Sequence, residues 1–155
     1  MSYPRPERTR NGHSHTRVVV HFVWATARRA PLIAPESDGW LRAVLERKAG
    51  ELGCRVLACG NASDHVHVVL PLPPTICIAE IARGLKGTSS HAWNAARAAD
   101  TRAFSWQAGY WAESVTPSAI ESLLRYVTDQ RAHHAHRSTP GPWEADLPAL
   151  DPSPS

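Results

Sequence analysis

The chain has 155 residues, the size of one domain, and 43% of them are hydrophobic while 20% are charged. This composition excludes wholesale disorder, collagen-like repeats and coiled coils, and it predicts a globular protein with a sizeable core. The formal net charge of +3 favours an acidic partner such as nucleic acid only weakly. Three cysteines without Cys-x-x-Cys spacing indicate neither a disulfide framework nor a structural zinc site.

The two ends of the sequence differ from its middle. Residues 1–16 are polar and contain no apolar signal segment, and residues 137–155 carry five of the 13 prolines. No stretch approaches the 18 or so consecutive apolar residues of a membrane span. We therefore expect flexible tails at 1–16 and 137–155, one folded domain at 17–136, and a cytoplasmic protein that does not enter a membrane.

The first half of the domain predicts a strand, a helix and a hairpin. The run Val18-Val-Val-His-Phe-Val-Trp-Ala25 is β-branched and aromatic, and it is too short for a typical helix. From Glu36 to Gly53 apolar residues recur at helical spacing, which predicts an amphipathic helix. Residues 54–60 and 65–70 read as two short strands around a turn, and we expect them to pair.

The second half predicts a helix, a strand and a final helix. Thr75 is the expected N-cap of an amphipathic helix that places Arg83 and Lys86 on its polar face. Residues 106–115 suggest a fourth strand, and Thr116-Pro117 opens a third helix in which Ser118 and Glu121 have the spacing of a capping box. The order predicts an α+β fold with a ferredoxin-like or RRM-like antiparallel sheet, helices on one face, and a C-terminal helix that carries Tyr126.

Two histidines on the third strand are the first candidate site residues. His65 and His67 are separated by one residue, so their imidazoles point to the same face while Val66 and Val68 point to the core. This geometry suits chelation of one metal ion. It equally suits two histidines on a solvated sheet face, and a metal site needs a third ligand.

The last helix offers a partner pair. Tyr126 and Gln130 are four residues apart and share one side of the helix, at the flank of its apolar stripe. A tyrosine in that position is also common at the edge of a core, with its hydroxyl in water. The helix alone therefore leaves both interpretations open.

Taken together, these motifs resemble the single-tyrosine HUH transposases of small insertion sequences. The matching stretches are His21-Phe-Val-Trp-Ala-Thr26 with Arg28-Arg29, Asp64-His-Val-His-Val-Val-Leu70, Leu85-Lys-Gly-Thr-Ser-Ser90, Trp106-Gln-Ala-Gly-Tyr110, Ser114-Val115 and Tyr126-Val-Thr-Asp-Gln130-Arg-Ala-His-His134. They occur in order across residues 17–136. Two features depart from the family pattern. Trp111 and Glu113 stand where smaller or apolar side chains are expected, and the Pro-rich tail is not part of the pattern.

The resemblance implies a site and a reaction. It implies that His65, His67 and Gln130 bind a divalent ion, Mg²⁺ or Mn²⁺, and that Tyr126 is the nucleophile. Two imidazoles and an amide oxygen leave positions open for phosphate oxygens and water, and imidazole ligands favour Mn²⁺. The implied reaction is transesterification of single-stranded DNA through a 5′-phosphotyrosine link.

Several further residues have two interpretations each. Asp64 is either a fourth ligand or an ordinary turn residue, and Arg83 with Lys86 either contacts the DNA backbone or is solvated. Trp106, Tyr110 and Trp111 either stack on bases or pack in the core. His133, His134 and His136 read as a solvated helix end, and the three cysteines as core residues.

The resemblance also implies partners. We expect single-stranded DNA with hairpin ends as the substrate, and a homodimer, since the resembled family pairs the metal site of one subunit with the tyrosine helix of the other. Two alternatives are a non-catalytic module that binds single-stranded nucleic acid and a domesticated REP-associated tyrosine transposase. The latter branch generally carries Asn-Pro after its tyrosine, whereas Thr128-Asp-Gln130 stands here.

Overall fold

The computed structural model of the protein describes residues 7–8, 15–98 and 103–132. Three α-helices and six strands occur in these ranges. They are β1 (Glu7–Arg8), β2 (His15–Thr16), β3 (Val19–Ala25), α1 (Asp38–Glu51), β4 (Ala58–Asn61), β5 (His65–Pro71), α2 (Ile78–Ala96), β6 (Trp111–Ser114) and α3 (Ile120–Thr128). The predicted order of elements is confirmed for the domain.

Strands β3 to β6 form one antiparallel sheet in the order β4-β5-β3-β6. The first and third strands of the βαββαβ unit lie at the centre, and the second and fourth lie at the edges. This arrangement is the ferredoxin-like sheet that the sequence predicts. Both edge strands are shorter than predicted, and a single bridge between Thr26 and Trp106 extends the β3–β6 side.

Helices α1 and α2 cover one face of the sheet. Successive side chains of β3 and β5 point to opposite faces of the sheet. Phe22, Trp24 and Val68 point to the face that α1 and α2 cover, and they are fully buried. The helices supply the other half of the core through the apolar stripes of α1 and α2, including Leu45 and Leu85. This layer holds the larger of the two hydrophobic clusters.

Helix α3 covers the opposite face of the sheet. Four apolar side chains of α3 are buried against three small or β-branched residues of the sheet: Ile120, Leu123, Leu124 and Val127 against Val19, Ala58 and Val69. The central strands are therefore covered on both sides. This explains why β3 is buried along its whole length and β5 along all but its last residue.

The starts of the last two helices differ from the sequence prediction. Helix α2 begins at Ile78, and its N-cap is Cys77, not Thr75. Before α3 the chain forms a 3₁₀ turn at Pro117–Ala119, and the N-cap of the α-helix, Ala119, makes no side-chain hydrogen bond. The capping box of Ser118 and Glu121 is therefore wrong, because the turn that Pro117 initiates moves the α-helical start to Ile120.

The predicted tails and cysteines have separate outcomes. Glu7–Arg8 pairs with His15–Thr16 in a two-stranded ladder. The other residues of 1–14 and all of 133–155 lie outside the described residues. The predictions for His133, His134 and His136 therefore fall outside the described part of the chain. Cys54 and Cys59 are buried as predicted, whereas Cys77 is exposed at the start of α2. No helix within the described part of the chain has the length and apolar character needed to cross a membrane.

One glycine permits the close packing of α3. A Cβ atom built on Gly60 would lie 1.7 Å from the backbone oxygen of Val127 and 3.3 Å from Cβ of Gln130. Gly60 is buried in β4, directly opposite His67 in the ladder. The helix backbone thus rests on the strand at a point where any side chain would displace it.

We expect Gly60→Ala to destabilise the protein by about 1–3 kcal/mol, because the added methyl group overlaps helix backbone that cannot move independently. Urea unfolding measures the change. Gly50→Ala is the matched control, since a Cβ at Gly50 meets nothing within 4 Å, and it should leave stability equal or slightly raised. Equal stability of Gly60→Ala and the wild type would contradict the packing described here.

Candidate active site

The two histidines of β5 lie beneath α3. His65 is 1% exposed and His67 is 0% exposed, and both point to the sheet face that α3 covers. Their ring centroids are 5.1 Å apart. The shared face predicted from strand alternation is confirmed, and the interpretation of a solvated sheet face is wrong because the helix packs over it.

Asp64 fixes the orientation of His65. The Nδ1 atom of His65 lies 2.7 Å from Oδ1 of Asp64, whose Oδ2 accepts a hydrogen bond of 3.1 Å from Arg29. Burial opposes ionisation of Asp64, but the contacts with His65 and Arg29 outweigh it and hold the pKa of this carboxyl below its ordinary value. The carboxylate therefore stays charged, and Nε2 of His65 is the ring nitrogen directed away from it.

His21 fixes the orientation of His67. The Nε2 atom of His21 lies 2.9 Å from Nδ1 of His67, and the two rings are stacked with centroids 5.1 Å apart. Burial, followed by the nearness of His67, lowers the pKa of His21 to about 3. The imidazole of His21 is therefore uncharged at neutral pH. Nε2 of His67 is the ring nitrogen that points away from His21.

The last helix brings Tyr126 and Gln130 to the histidines. The half-buried Tyr126 ring meets the His67 ring edge to face, with centroids 6.0 Å apart. Gln130 is completely buried and lies over Gly60, the ladder partner of His67. Of the residues predicted for the catalytic site, His65, His67, Tyr126 and Gln130 thus gather in one place, although Tyr126 also borders the smaller core cluster as a core-edge residue would.

The donor atoms at this place suit a divalent cation. Nε2 of His65, Nε2 of His67 and Oε1 of Gln130 are all buried, and both imidazoles have their Nδ1 atoms engaged by a polar neighbour. A histidine that binds a metal through one ring nitrogen usually makes a hydrogen bond to a polar group through the other. Among the described residues no group of three or more His, Cys, Asp or Glu is placed to hold a metal.

Arg131 ties the end of the tyrosine helix to the start of α1. Its Nε and Nη2 atoms donate to the two carboxylate oxygens of Asp38, both at 2.7 Å, and Nη2 also donates to the carbonyl of Ile33 at 2.9 Å. Asn61 donates to the same carboxylate at 2.9 Å. Burial alone would raise the pKa of Asp38, but the hydrogen bonds from Arg131 and Asn61 hold it below its ordinary value.

The predicted DNA contacts Arg83 and Lys86 lie elsewhere. Both belong to α2, on the opposite side of the sheet from Tyr126, and they line a groove of about 530 Å³ between α2 and residues 104–110. Arg83 is exposed, whereas the ammonium of Lys86 donates to the carbonyls of Gln107 and Gly109. Partial burial lowers the pKa of Lys86. The structure does not bring these two residues to the tyrosine.

Trp106 and Tyr110, which precede β6, pack against the larger core cluster and also line the groove beside Arg83 and Lys86, whereas Trp111 in β6 contacts His21. The Trp106 ring meets Trp24 and Phe104 edge to face, and its indole nitrogen donates to Ser89 at 2.9 Å. Tyr110 packs on Phe22, and Trp111 meets His21 edge to face. Trp111 thus shields the buried His21–His67 pair.

Comparison with known protein families identifies the family of this chain. The family model described as "Transposase IS200 like" matches residues 14–130, a range that includes His65, His67, Tyr126 and Gln130. The chain belongs to the IS200-like transposase family. A comparison with curated proteins found no significant match.

Two solved structures share the transposase fold. A candidate transposase from Deinococcus radiodurans R1 superposes with a TM-score of 0.64 at 22% identity, covering 81% of this chain and 98% of the other. A REP-associated tyrosine transposase bound to a REP hairpin gives a TM-score of 0.59 at 14% identity, covering 82% of this chain and 74% of the other. At these identities the likeness shows the fold.

Some residues of the site lie outside the sequence prediction. The sequence does contain a sign that His21 has a structural role, because a histidine inside a buried strand requires a polar partner. Asp64 lies in the bend between β4 and β5, as its interpretation as a turn residue predicts, and it also orients His65, which the sequence does not reveal. The contact between Arg131 and Asp38 joins residues far apart in the chain, and no local pattern reveals it.

The charge on Asp38 should set part of the pH dependence of stability. Its pKa is lower in the folded state, so its stabilisation is present above the unfolded pKa of about 3.9 and disappears as pH falls through the folded pKa. We expect Asp38→Asn to lower the urea midpoint at about pH 7, and we expect the difference from wild type to shrink at about pH 3. Glu121→Gln, which removes an exposed carboxylate of α3, is the control and should show neither effect. A difference that persists unchanged at low pH would contradict this role.

Proposed function

We propose that this transposase cleaves and rejoins single-stranded DNA at the ends of an insertion sequence, with Tyr126 as the nucleophile. The observation that carries the proposal is the edge contact of Tyr126 with His67, beside His65 and near the buried Gln130. A tyrosine at an ordinary core edge would not require two buried imidazoles, each oriented by its own polar partner. The arrangement instead fits a nucleophile beside a site for phosphate.

The proposed step is a transesterification. The Tyr126 oxygen attacks the phosphorus of a phosphodiester, the bond to the 3′ oxygen breaks, and a 5′-phosphotyrosine link and a free 3′-hydroxyl result. The phenolic proton passes to solvent, which reaches the half-buried tyrosine. Reverse attack by a 3′-hydroxyl rejoins DNA, and no external energy source is needed because one ester replaces another.

The chain's own residues prepare this step. Tyrosine has a reference pKa of about 10, so the hydroxyl is a weak nucleophile at neutral pH without further activation. His65, His67 and Gln130 would hold a divalent ion, Mg²⁺ or Mn²⁺, which when bound supplies charge neutralisation at the phosphate. Asp64 and His21 keep both imidazoles turned with Nε2 toward that place. Helix α3 excludes water from the histidines and sets the approach of Tyr126.

The proposed substrate is single-stranded DNA with hairpin ends. One structural neighbour is bound to a REP hairpin, and Arg83 with Lys86 offers positive charge beside a groove. Because that groove and Tyr126 lie on opposite sides of the sheet, DNA that contacts both must pass around a sheet edge. We further propose that the protein acts in the cytoplasm as a homodimer, the commonest symmetric assembly.

We expect Tyr126→Phe to abolish covalent attachment of DNA, because the variant lacks only the attacking oxygen. The substrate is a pool of single-stranded oligonucleotides with a fixed hairpin and randomised flanks, incubated with Mn²⁺ and resolved on a denaturing gel. In the wild type a label at the 3′ end should move with the protein, whereas a label at the 5′ end should be released.

Ser122→Ala is the control for this experiment. Ser122 is an exposed residue of α3 whose hydroxyl donates to the Ala119 carbonyl, so its variant should form the adduct as the wild type does. Persistence of the adduct in Tyr126→Phe, or a 5′ label that stays with the protein, would contradict the assignment.

The metal site has its own test by calorimetric titration with Mn²⁺. We expect His65→Ala and His67→Ala each to weaken Mn²⁺ binding strongly, and Gln130→Ala to weaken it less, because an amide oxygen is a poorer ligand than imidazole for this ion. His91→Ala, which alters an exposed histidine of α2, should bind as the wild type does. Wild-type affinity in the double variant of His65 and His67 would remove the site.

Arg83 and Lys86 are tested by the salt dependence of DNA binding. Changing each to Ala should lower the slope of log affinity against log salt by about 0.7 to 0.9 for every phosphate that the variant no longer neutralises. Arg47→Ala on α1 is the control, since Arg47 is exposed and pairs with Glu51 of its own helix. Fluorescence anisotropy with a hairpin oligonucleotide measures the slope, and an unchanged slope in both variants would show that this face is only solvated.

A further inference from the structure

A groove with two tryptophans lies on the helical side of the sheet, between the start of α1 and the end of α2. Its volume is about 270 Å³, and it is lined by Ser37, Trp40, Trp93, Ala96 and Arg97. Pockets that hold drug-sized ligands begin at about 300 Å³. This tryptophan groove therefore suits one flat ring system with its substituents rather than a complete cofactor.

The exposure of Trp40 is not explained by the core. Trp40 is 37% exposed, and within the described ranges Val18 is the one other large apolar residue that is exposed. The rings of Trp40 and Trp93 meet at 73° with centroids 5.3 Å apart. Two rings at this angle form a corner in which a third flat ring can stack on one indole and meet the edge of the other.

Trp93 is held from beneath by ordered neighbours. Its ring is stacked on the buried Phe104, with centroids 4.6 Å apart. The amide of Asn94 binds both backbone polar groups of Phe104, because Nδ2 donates to the carbonyl at 2.8 Å and Oδ1 accepts from the N–H at 2.8 Å. The plane of Trp93 is thus fixed before a ligand arrives, which lowers the entropic cost of binding.

A positive charge lies beside the two indoles. Nε of Arg97 donates to Oδ1 of Asn94 at 3.0 Å, and this bond holds the guanidinium at the wall of the tryptophan groove. Asp38 nearby is paired with Arg131, and the exposed Glu36 is screened by water. An arginine beside an aromatic groove is typical of sites for single-stranded nucleic acid, in which bases stack on rings and cations follow the backbone.

The tryptophan groove is a neighbour of the groove that Arg83 and Lys86 line. Phe104 belongs to both places, because it stacks on Trp93 and also lines the groove of Arg83 and Lys86. Both grooves lie on the side of the sheet that α1 and α2 cover. A DNA strand that occupies one groove can therefore continue into the other.

Ser37 connects the tryptophan groove to the candidate active site. It lines the groove and precedes Asp38, whose carboxylate accepts two hydrogen bonds of 2.7 Å from Arg131. Arg131 follows Gln130 in the chain. A strand that leaves the tryptophan groove past Ser37 thus arrives at the end of the tyrosine helix.

We propose that the tryptophan groove is a subsite that stacks one base of single-stranded DNA, between the groove of Arg83 and Lys86 and the candidate active site. Trp40 and Trp93 are the stacking residues, and Arg97 contacts a phosphate of the same strand. The proposal rests on the proposed function for the class of its ligand. Because every base has a π-face, this subsite holds the strand in place without reading its sequence.

The first test maps the contact in the unaltered protein. A hairpin oligonucleotide with single-stranded thymidine flanks, in which 5-iododeoxyuridine replaces thymidine, is bound without a divalent ion and irradiated. We expect crosslinks in the tryptic peptides 30–42 and 87–97, in which Trp40 and Trp93 are the only Trp, Tyr or Phe residues. Mass spectrometry identifies the peptides, and the absence of both from the crosslinked set would overturn the proposal.

The second test measures the affinity for the same oligonucleotide by fluorescence anisotropy. Trp40→Ala should weaken binding about 5-fold to 150-fold, the effect of removing one stacking ring. The slope of log affinity against log salt should stay unchanged, because stacking releases no counterions. Trp40→Phe keeps a flat ring and should recover most of the affinity, whereas Trp40→Leu, which is apolar without such a ring, should not.

Val18→Ala is the control for this test, since it shortens the other exposed apolar side chain and should bind as the wild type does. Equal affinity of Trp40→Ala and the wild type would overturn the proposal, as would full recovery by Trp40→Leu. Weaker self-association of Trp40→Ala in sedimentation, with unchanged DNA affinity, would assign the groove to a second copy of the chain and overturn the proposal as well.

Arg97 is tested by the salt dependence. Arg97→Ala should lower the slope of log affinity against log salt by about 0.7, the value for one phosphate of a single strand. Arg47→Ala should leave the slope unchanged, since Arg47 pairs with Glu51 on the surface of α1. An unchanged slope in Arg97→Ala would overturn the assignment of Arg97 as a phosphate contact.

None of these measurements includes cleavage, so the subsite and the proposed function can fail separately. If Trp40→Ala weakens DNA binding but the wild type forms no covalent adduct, the proposed function fails and the subsite stands. If the wild type forms the adduct and Trp40→Ala binds DNA unchanged, the subsite alone fails.

Discussion

The close contact between α3 and β4 at Gly60 is the constraint on which the candidate site depends. The backbone of α3 lies where a Cβ atom of residue 60 would be. Because the helix packs this closely on β4, Tyr126 contacts His67, and Gln130 is buried over Gly60. A side chain at residue 60 would lift the helix off the strand. The sheet would keep its larger core under α1 and α2, but the four residues of the site would separate.

Burial of imidazoles beneath a helix creates a second requirement, because buried polar groups need partners. The chain meets it with a carboxylate for His65 and a further imidazole for His67. These partners serve geometry as well as solvation, since each engages Nδ1 and turns Nε2 away from itself. The low pKa of His21 keeps its imidazole uncharged at neutral pH.

The sequence predicts the fold because its signals are local. Strand alternation places Val66 and Val68 on one face and His65 and His67 on the other, as found. Helical spacing also pairs Tyr126 with Gln130, but α3 ends at Thr128 and Gln130 lies beyond a turn at Asp129. What it misses depends on contacts between distant residues or on the exact start of a helix. Arg131 meets Asp38 across most of the domain, and a 3₁₀ turn at Pro117 replaces the expected capping box. In the sequence His21 interrupts an otherwise apolar strand. Its role becomes clear only from its contact with His67 on the adjacent strand.

The central strands separate the candidate site on the α3 side of the sheet from the groove that Arg83 and Lys86 line on the other side. We propose that His65, His67 and Gln130 form a cation site beside Tyr126. Diffraction from crystals grown with Mn²⁺, recorded at the manganese absorption edge, tests this proposal most directly. We expect one anomalous peak per site, coordinated by Nε2 of both histidines and Oε1 of Gln130. A peak coordinated by other residues, or no peak at a Mn²⁺ concentration that supports DNA cleavage, would contradict it.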